Sequence, residues 1–129
     1  MRLALLVVAA LLAVASGTGS AASRPAADHL RIVVWAIGTS GPPRAARTLT
    51  CNPPGGTLPS PAKACSKLAL QAPFAPVSDR VMCSQIFSGP QVALVTGTYS
   101  GRHVWARFDR SDSCQTERWN RIAFLFRSG

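Results

Sequence analysis

The chain has 129 residues, 47% hydrophobic and 15% charged, with a formal net charge of +9 from 14 basic and 5 acidic side chains. That length holds one domain beyond a targeting segment and leaves no room for a second. A basic excess points to an acidic partner, nucleic acid or an anionic surface, but no two basic residues are adjacent, so the charge reads as a solvated surface.

Arg2 gives a positive start, residues 3–15 run unbroken through Leu, Val and Ala, and Ser20-Ala21-Ala22 sets small side chains at a cleavage position after Ala22. At ~1.5 Å per residue this apolar run falls short of a hydrocarbon layer of ~30 Å, so residues 1–22 read as a removable signal peptide and not as an anchor. The expected secreted domain, 23–129, keeps thirteen basic residues against five acids, a charge of +8, and contains no second long apolar run.

Residues 23–29 read as a free terminus. The β-branched run Leu30-Arg31-Ile32-Val33-Val34-Trp35-Ala36-Ile37 predicts a buried strand. Two glycines and two prolines make 38–44 a loop, and Arg47-Thr48-Leu49-Thr50-Cys51 alternates as a second strand. Asn52-Pro53-Pro54-Gly55-Gly56 and Pro59-Ser60-Pro61 interrupt regular structure. Helix formers fill 62–71, with Ser60 as the cap, Pro61 at the first position and Pro73 and Pro76 as the stop. A short half-turn is expected around Val77 to Arg80, then Val81-Met82-Cys83, with Met82 read as core packing.

From Gln91 to Tyr99 the chain predicts a third strand, with Ser100-Gly101 as the turn. A fourth covers His103 to Asp109, with Val104, Ala106 and Phe108 on one face and Trp105 and Arg107 on the other. The apolar Ile122-Ala123-Phe124-Leu125-Phe126 reads as a fifth. The expected class is α+β: a five-stranded antiparallel sheet with one longer and one short helix.

Cys51, Cys65, Cys83 and Cys114 are spaced by 14, 18 and 31 positions. Four cysteines in a short exported chain read as two disulfides with three pairings open, whereas a zinc site usually shows closely spaced pairs. If neighbours pair, the two loops contribute about 3 and nearly 4 kcal/mol in the chain-entropy model, comparable with the net stability of a small domain.

Catalytic chemistry is scarce. His29 lies beside the terminus, His103 in a strand, and Glu117 is the sole glutamate. A His103–Glu117 pair would suit a small secreted ribonuclease, but a strand histidine is more often an exposed surface residue. No Gly-x-Ser-x-Gly and no phosphate-cradling glycine loop appears. Trp35, Trp105 and Trp119 read as core or interface packing before a binding platform. An enzyme is not expected. The unusual stretch is Cys83-Ser84-Gln85-Ile86-Phe87-Ser88-Gly89-Pro90, which reads as an extended segment beside a cross-linked cysteine, shown to a partner.

Thr48-Leu49-Thr50-Cys51, then Pro53, Gly56-Thr57 and Pro59, then Ala64-Cys65-Ser66-Lys67-Leu68, resembles the Streptomyces subtilisin inhibitor family. That family shows a Leu-Thr-Cys-x-Pro, Gly-Thr-His-Pro, Ala-Cys-x-x-Leu progression. Val81-Met82-Cys83, Pro90, Tyr99-Ser100-Gly101 and Cys114 follow in the same order. The resemblance implies the pairings Cys51–Cys65 and Cys83–Cys114, a five-stranded sheet with helices, and a homodimer joined through sheet faces. It implies an inhibitor of extracellular serine proteases, chiefly subtilisin-like ones, with no catalytic residue, metal or cofactor. Its reactive bond transfers to Gln85–Ile86: Gln85 enters the protease's specificity pocket, Cys83 and Ser84 precede it, and Phe87 lies beyond.

The chain departs from the family pattern at several points. Ser84 stands for the usual Pro, Gln85 lacks the charge a trypsin would select, and one extra residue precedes Pro90. Asp112 stands where an Asn commonly supports the loop. The rival reading on the same scaffold is a basic secreted domain that binds anionic polymers without inhibiting a protease; its affinity would fall steeply with salt.

Overall fold

A computed structural model describes residues 16–20 and 27–127. The apolar run 3–15 and the cleavage position after Ala22 lie outside the described residues. Among those described, no helix is long and apolar enough to cross a membrane.

Four strands form one antiparallel sheet: β1 (Asp28–Trp35), β2 (Ala45–Cys51), β3 (Gly89–Tyr99) and β4 (Arg102–Arg110), in spatial order β2-β1-β3-β4. The described residues also form two helices, α1 (Pro61–Ala69) and α2 (Ser113–Arg121), and a 3-10 turn (Ala123–Leu125) follows the second. Alternation sends Leu30, Ile32 and Val34 of β1, Leu49 of β2, Ala93 and Val95 of β3, and Ala106 and Phe108 of β4 to one face. There they meet Ala64 and Leu68 of α1 and Trp119 of α2. Phe108 and Leu30 are fully buried, and each such side chain contributes about 1.5–3 kcal/mol by leaving water.

The expected fifth strand is corrected. Ile122, Ala123, Leu125 and Phe126 are buried, but in and beside a 3-10 turn (Ala123–Leu125) that closes the core directly behind α2. A short run of unbroken apolar residues suits a buried turn as well as a buried strand, and no reversing turn precedes it to bring it alongside β4. The expected half-turn at 77–80 is not a helix; Val81 donates its amide to Ser78 in a simple turn. The second helix is α2, which a sequence with one buried residue in nine conceals. Ser60 does precede α1, but its hydroxyl makes no capping bond.

Gly97 fixes how closely β1 and β3 approach. It faces Leu30 with φ +133°, and a Cβ there would stand 2.0 Å from the His29 carbonyl oxygen. The cysteines pair as the resemblance implied. Cys51–Cys65 ties the end of β2 to α1, and Cys83–Cys114 ties the segment before β3 to α2.

Candidate functional site

The Cys83–Cys114 bridge closes a 31-residue separation and holds the two Cα atoms 5.5 Å apart. Beside it, the Ser84 amide donates to Ser113 Oγ at 2.9 Å, and the Ser113 amide donates to the Ser84 carbonyl at 3.0 Å. Four residues on, the Ser88 amide donates to the Arg110 carbonyl at 2.9 Å. Gln85, Ile86 and Phe87 lie between these anchors without helix or strand structure, and Ile86 and Phe87 are 64% and 67% exposed. Apolar side chains this exposed contribute little to the core and leave an apolar patch on the surface of a segment held at both ends.

The far end of the segment is shaped by Gly89. Its φ is +147°, and a Cβ would meet Gln91 Oε1 at 2.3 Å, where Arg110 Nη1 donates at 3.1 Å. Gly89 pairs with Arg110 as the first residue of β3, and a bulge between Gly89 and Ala93 then shifts the register against β4. Gly38, in the loop after β1, donates its amide to Pro90 at 3.0 Å.

The approach to Cys83 is fixed by Arg118. Its Nε donates to the Ala75 carbonyl at 2.9 Å, Nη1 donates to the Arg107 carbonyl at 2.6 Å, and the guanidinium lies over the Phe108 ring. Burial lowers its pKa from the ordinary arginine value, the Asp109 charge opposing and Arg121 adding to that shift. Asp109 feels opposite effects: partial burial raises its pKa, but the Ser111 hydroxyl and amide and the Arg107 guanidinium outweigh it, and the carboxyl sits below its ordinary value.

Met82 is corrected. It is 96% exposed, three residues before Gln85, and Val81 beside it is 54% exposed. Sequence reading missed this pair because an apolar Val-Met before a cysteine looks like packing; the prolines at 73 and 76 are the signal that no regular element follows to bury it. Asp112 does not brace the segment. Its Oδ1 accepts the Gln115 amide at 2.8 Å as the cap of α2, and Ser113 next to it makes the contacts instead. Sequence reading missed Ser113 altogether.

The catalytic and metal alternatives lose their geometry. Glu117 pairs with Arg121 on α2, whereas His103 is exposed on the face of β4 opposite Phe108. Cys83, Asp112 and Cys114 converge within 4.8 Å, but the two sulfurs are bonded to each other and have no thiolate to give a metal. The tryptophans are dispersed: Trp119 packs on Phe126, Trp105 is 73% exposed on the outer sheet face, and Trp35 Nε1 donates to the Gly41 carbonyl.

Against known proteins, the subtilisin inhibitor-like family model matches residues 24–111, about two thirds of the chain. None of the curated proteins matches the sequence. Among solved structures the chain is similar to Streptomyces caespitosus sermetstatin, determined in complex with Bacillus licheniformis subtilisin, with 25% identity and a TM-score of 0.48, over 74% of this chain and 96% of that one. The family match spans the exposed segment and the first three cysteines, so the chain belongs to the subtilisin inhibitor-like family, a family of inhibitors and not of enzymes.

Proposed function

We propose that the protein is a secreted inhibitor of subtilisin-like serine proteases and that it offers the Gln85–Ile86 bond as a substrate-like bait. The observation that carries this reading is the exposed segment from Gln85 to Phe87, anchored at Ser84 and Ser88. A segment already extended loses little conformational entropy on docking, and its main chain can add to the edge of a protease cleft. Gln85 fills the primary pocket, Cys83 and Ser84 run along the non-primed side, and Ile86 and Phe87 lie beyond the bond. Met82, reaching out three residues before Gln85, adds apolar contact.

Inhibition is recognition that fails to reach release. After cleavage, the Cys83–Cys114 bridge keeps the acyl fragment on the scaffold, and the new amine stays close at high effective concentration. Resealing then competes with hydrolysis. The expected homodimer uses the outer face of the sheet, where Trp105 stands exposed; sedimentation should show Trp105→Arg as a monomer at concentrations where the parent protein is a dimer.

The direct test is titration against subtilisin, trypsin and chymotrypsin. Stoichiometric, slowly reversed inhibition of subtilisin is expected. Rapid turnover at residues 85–87 with no inhibition by excess protein would overturn the reading.

A further inference from the structure

We propose that Ser113 is a positioning residue for the reactive bond, and that residues 110–114 act as a two-sided bracket holding both products of cleavage in register. The inference rests on the reading that Gln85–Ile86 is offered to a protease.

On the acyl side, Cys83 is bonded to Cys114, and Ser84 exchanges two hydrogen bonds with Ser113, at 2.9 and 3.0 Å. On the amine side, the Ser88 amide donates to the Arg110 carbonyl at 2.9 Å, two residues beyond Ile86. All three anchors fall within one five-residue stretch. That stretch is itself held: Arg110 pairs with Gly89 at the end of β4, and Ser113 opens α2 under the Asp112 cap. The separation of the two cut ends is therefore set by one rigid turn and not by the general shape of the domain.

The disulfide and the serine pair have different tasks. A disulfide fixes separation but leaves torsional freedom about its side-chain bonds. Two antiparallel bonds between Ser84 and Ser113 fix the orientation of the Ser84 peptide, and with it the direction in which Gln85 presents its carbonyl. Both bonds follow from local chemistry. The Ser113 amide is one of the donors that a helix start leaves unpaired. The Ser113 hydroxyl is free to accept because Asp112 does the capping. The Ser84 amide exists because serine, and not proline, stands at 84. The bracket thus draws on the end of β4 for Arg110 and on the first turn of α2 for Ser113 and Cys114.

The test compares the parent protein with Ser113→Ala and Ser113→Thr. Each is incubated with subtilisin, and mass spectrometry follows the ratio of clipped to intact inhibitor over time, alongside the inhibition constant and the melting temperature. Ala at the first helical position keeps the helix and the backbone bond but removes the acceptor for the Ser84 amide. The expected result is a clipped-to-intact ratio about tenfold higher for Ser113→Ala, as loss of one hydrogen bond implies. Its melting temperature should stay near that of the parent, and Ser113→Thr should restore the parent ratio. An unchanged ratio in Ser113→Ala, with the parent protein inhibiting, would overturn the role of Ser113 and leave the proposed function standing. A raised ratio that Thr does not rescue, with a lowered melting temperature, would also overturn it, since that is general destabilisation. Failure of the parent protein to inhibit would remove both.

Discussion

The guanidinium of Arg118 lies over the ring of Phe108, its central carbon 4.1 Å from the ring centroid, while two of its nitrogens donate to the carbonyls of Ala75 and Arg107. One side chain of α2 thus joins the innermost aromatic of β4 to the irregular segment that leads into Cys83. The planar fork is what allows it: an ammonium is a point charge on a flexible stem and cannot stack and span two carbonyls at once.

Arg118→Ala should therefore cost about 2 kcal/mol, from two hydrogen bonds and a stacking contact on a buried ring. Arg118→Lys should recover less than half of that loss. Urea unfolding measures the change. Limited proteolysis supplies a local readout: both variants should become susceptible between residues 75 and 82 before the rest of the domain opens. A variant that loses stability uniformly, with no new cut in that stretch, would show that the arginine acts on the core alone.

The bait assignment makes separable demands of two exposed side chains. Gln85→Arg should turn the protein into a trypsin inhibitor at least 100-fold stronger than the parent, because a buried charge pair in the specificity pocket is worth about 3 kcal/mol. Met82→Ala should weaken subtilisin inhibition about tenfold, through lost apolar contact, with no change in melting temperature, since the side chain is 96% exposed in the free protein. Inhibition constants and thermal unfolding on the same samples check both. If Met82→Ala destabilised the fold instead, the side chain would be packed and not presented.

Much of this was legible in the residues. β1, β2, β3 and β4 were predicted within about two residues at most ends, because alternation of apolar and polar side chains has one physical meaning in a half-buried sheet. The face of β4 carrying Ala106 and Phe108 was predicted from the same alternation. The C-terminal region was not legible. In α2 only Trp119 is buried, so the helix lacks the apolar stripe that declares one, and Ile122 to Phe126 has too few residues to set a period. Loop support was hidden for another reason. Ser113 reaches Ser84 across 29 positions of sequence, and a serine carries no local sign of a distant partner. The positions of Gln85 and Ile86 came from the resemblance and the cysteine beside them, not from their own chemistry.

The two cross-links should separate stability from inhibition. Replacing Cys51 and Cys65 by serine should cost about 3 kcal/mol in the chain-entropy model and lower the melting temperature, yet leave subtilisin inhibition intact at temperatures where the domain stays folded. Replacing Cys83 and Cys114 should cost nearly 4 kcal/mol by the same reasoning and also convert the inhibitor to a substrate, clipped within 85–87 and not resealed. Calorimetry and time-resolved inhibition distinguish the pairs. Equal persistence of inhibition in both double variants would mean that the bridge beside Ser84 has no role in holding the cut ends.

Asp109 gives the bracket a dependence on acidity. Its carboxylate accepts from the Ser111 amide at 3.0 Å and from the Ser111 hydroxyl at 2.6 Å, and it pairs with Arg107, so it fixes the turn that carries residues 110–114. Partial burial opposes ionisation, but these partners prevail and its pKa lies below the ordinary value. A depressed folded-state pKa means the stabilisation is fully present above the unfolded pKa of ~3.9 and disappears as pH falls through the lower folded value. Asp109→Asn removes that titration while keeping the shape of the side chain. At pH 7 the variant should be less stable by about 1–2 kcal/mol, the worth of hydrogen bonds to a charged acceptor. As pH falls below ~4 the gap should narrow progressively, closing once the folded parent's carboxyl is protonated as well. Urea unfolding of both proteins from pH 7 to pH 2.5 measures the gap directly, and a gap that stayed constant with pH would show that the carboxylate's charge does not hold the turn.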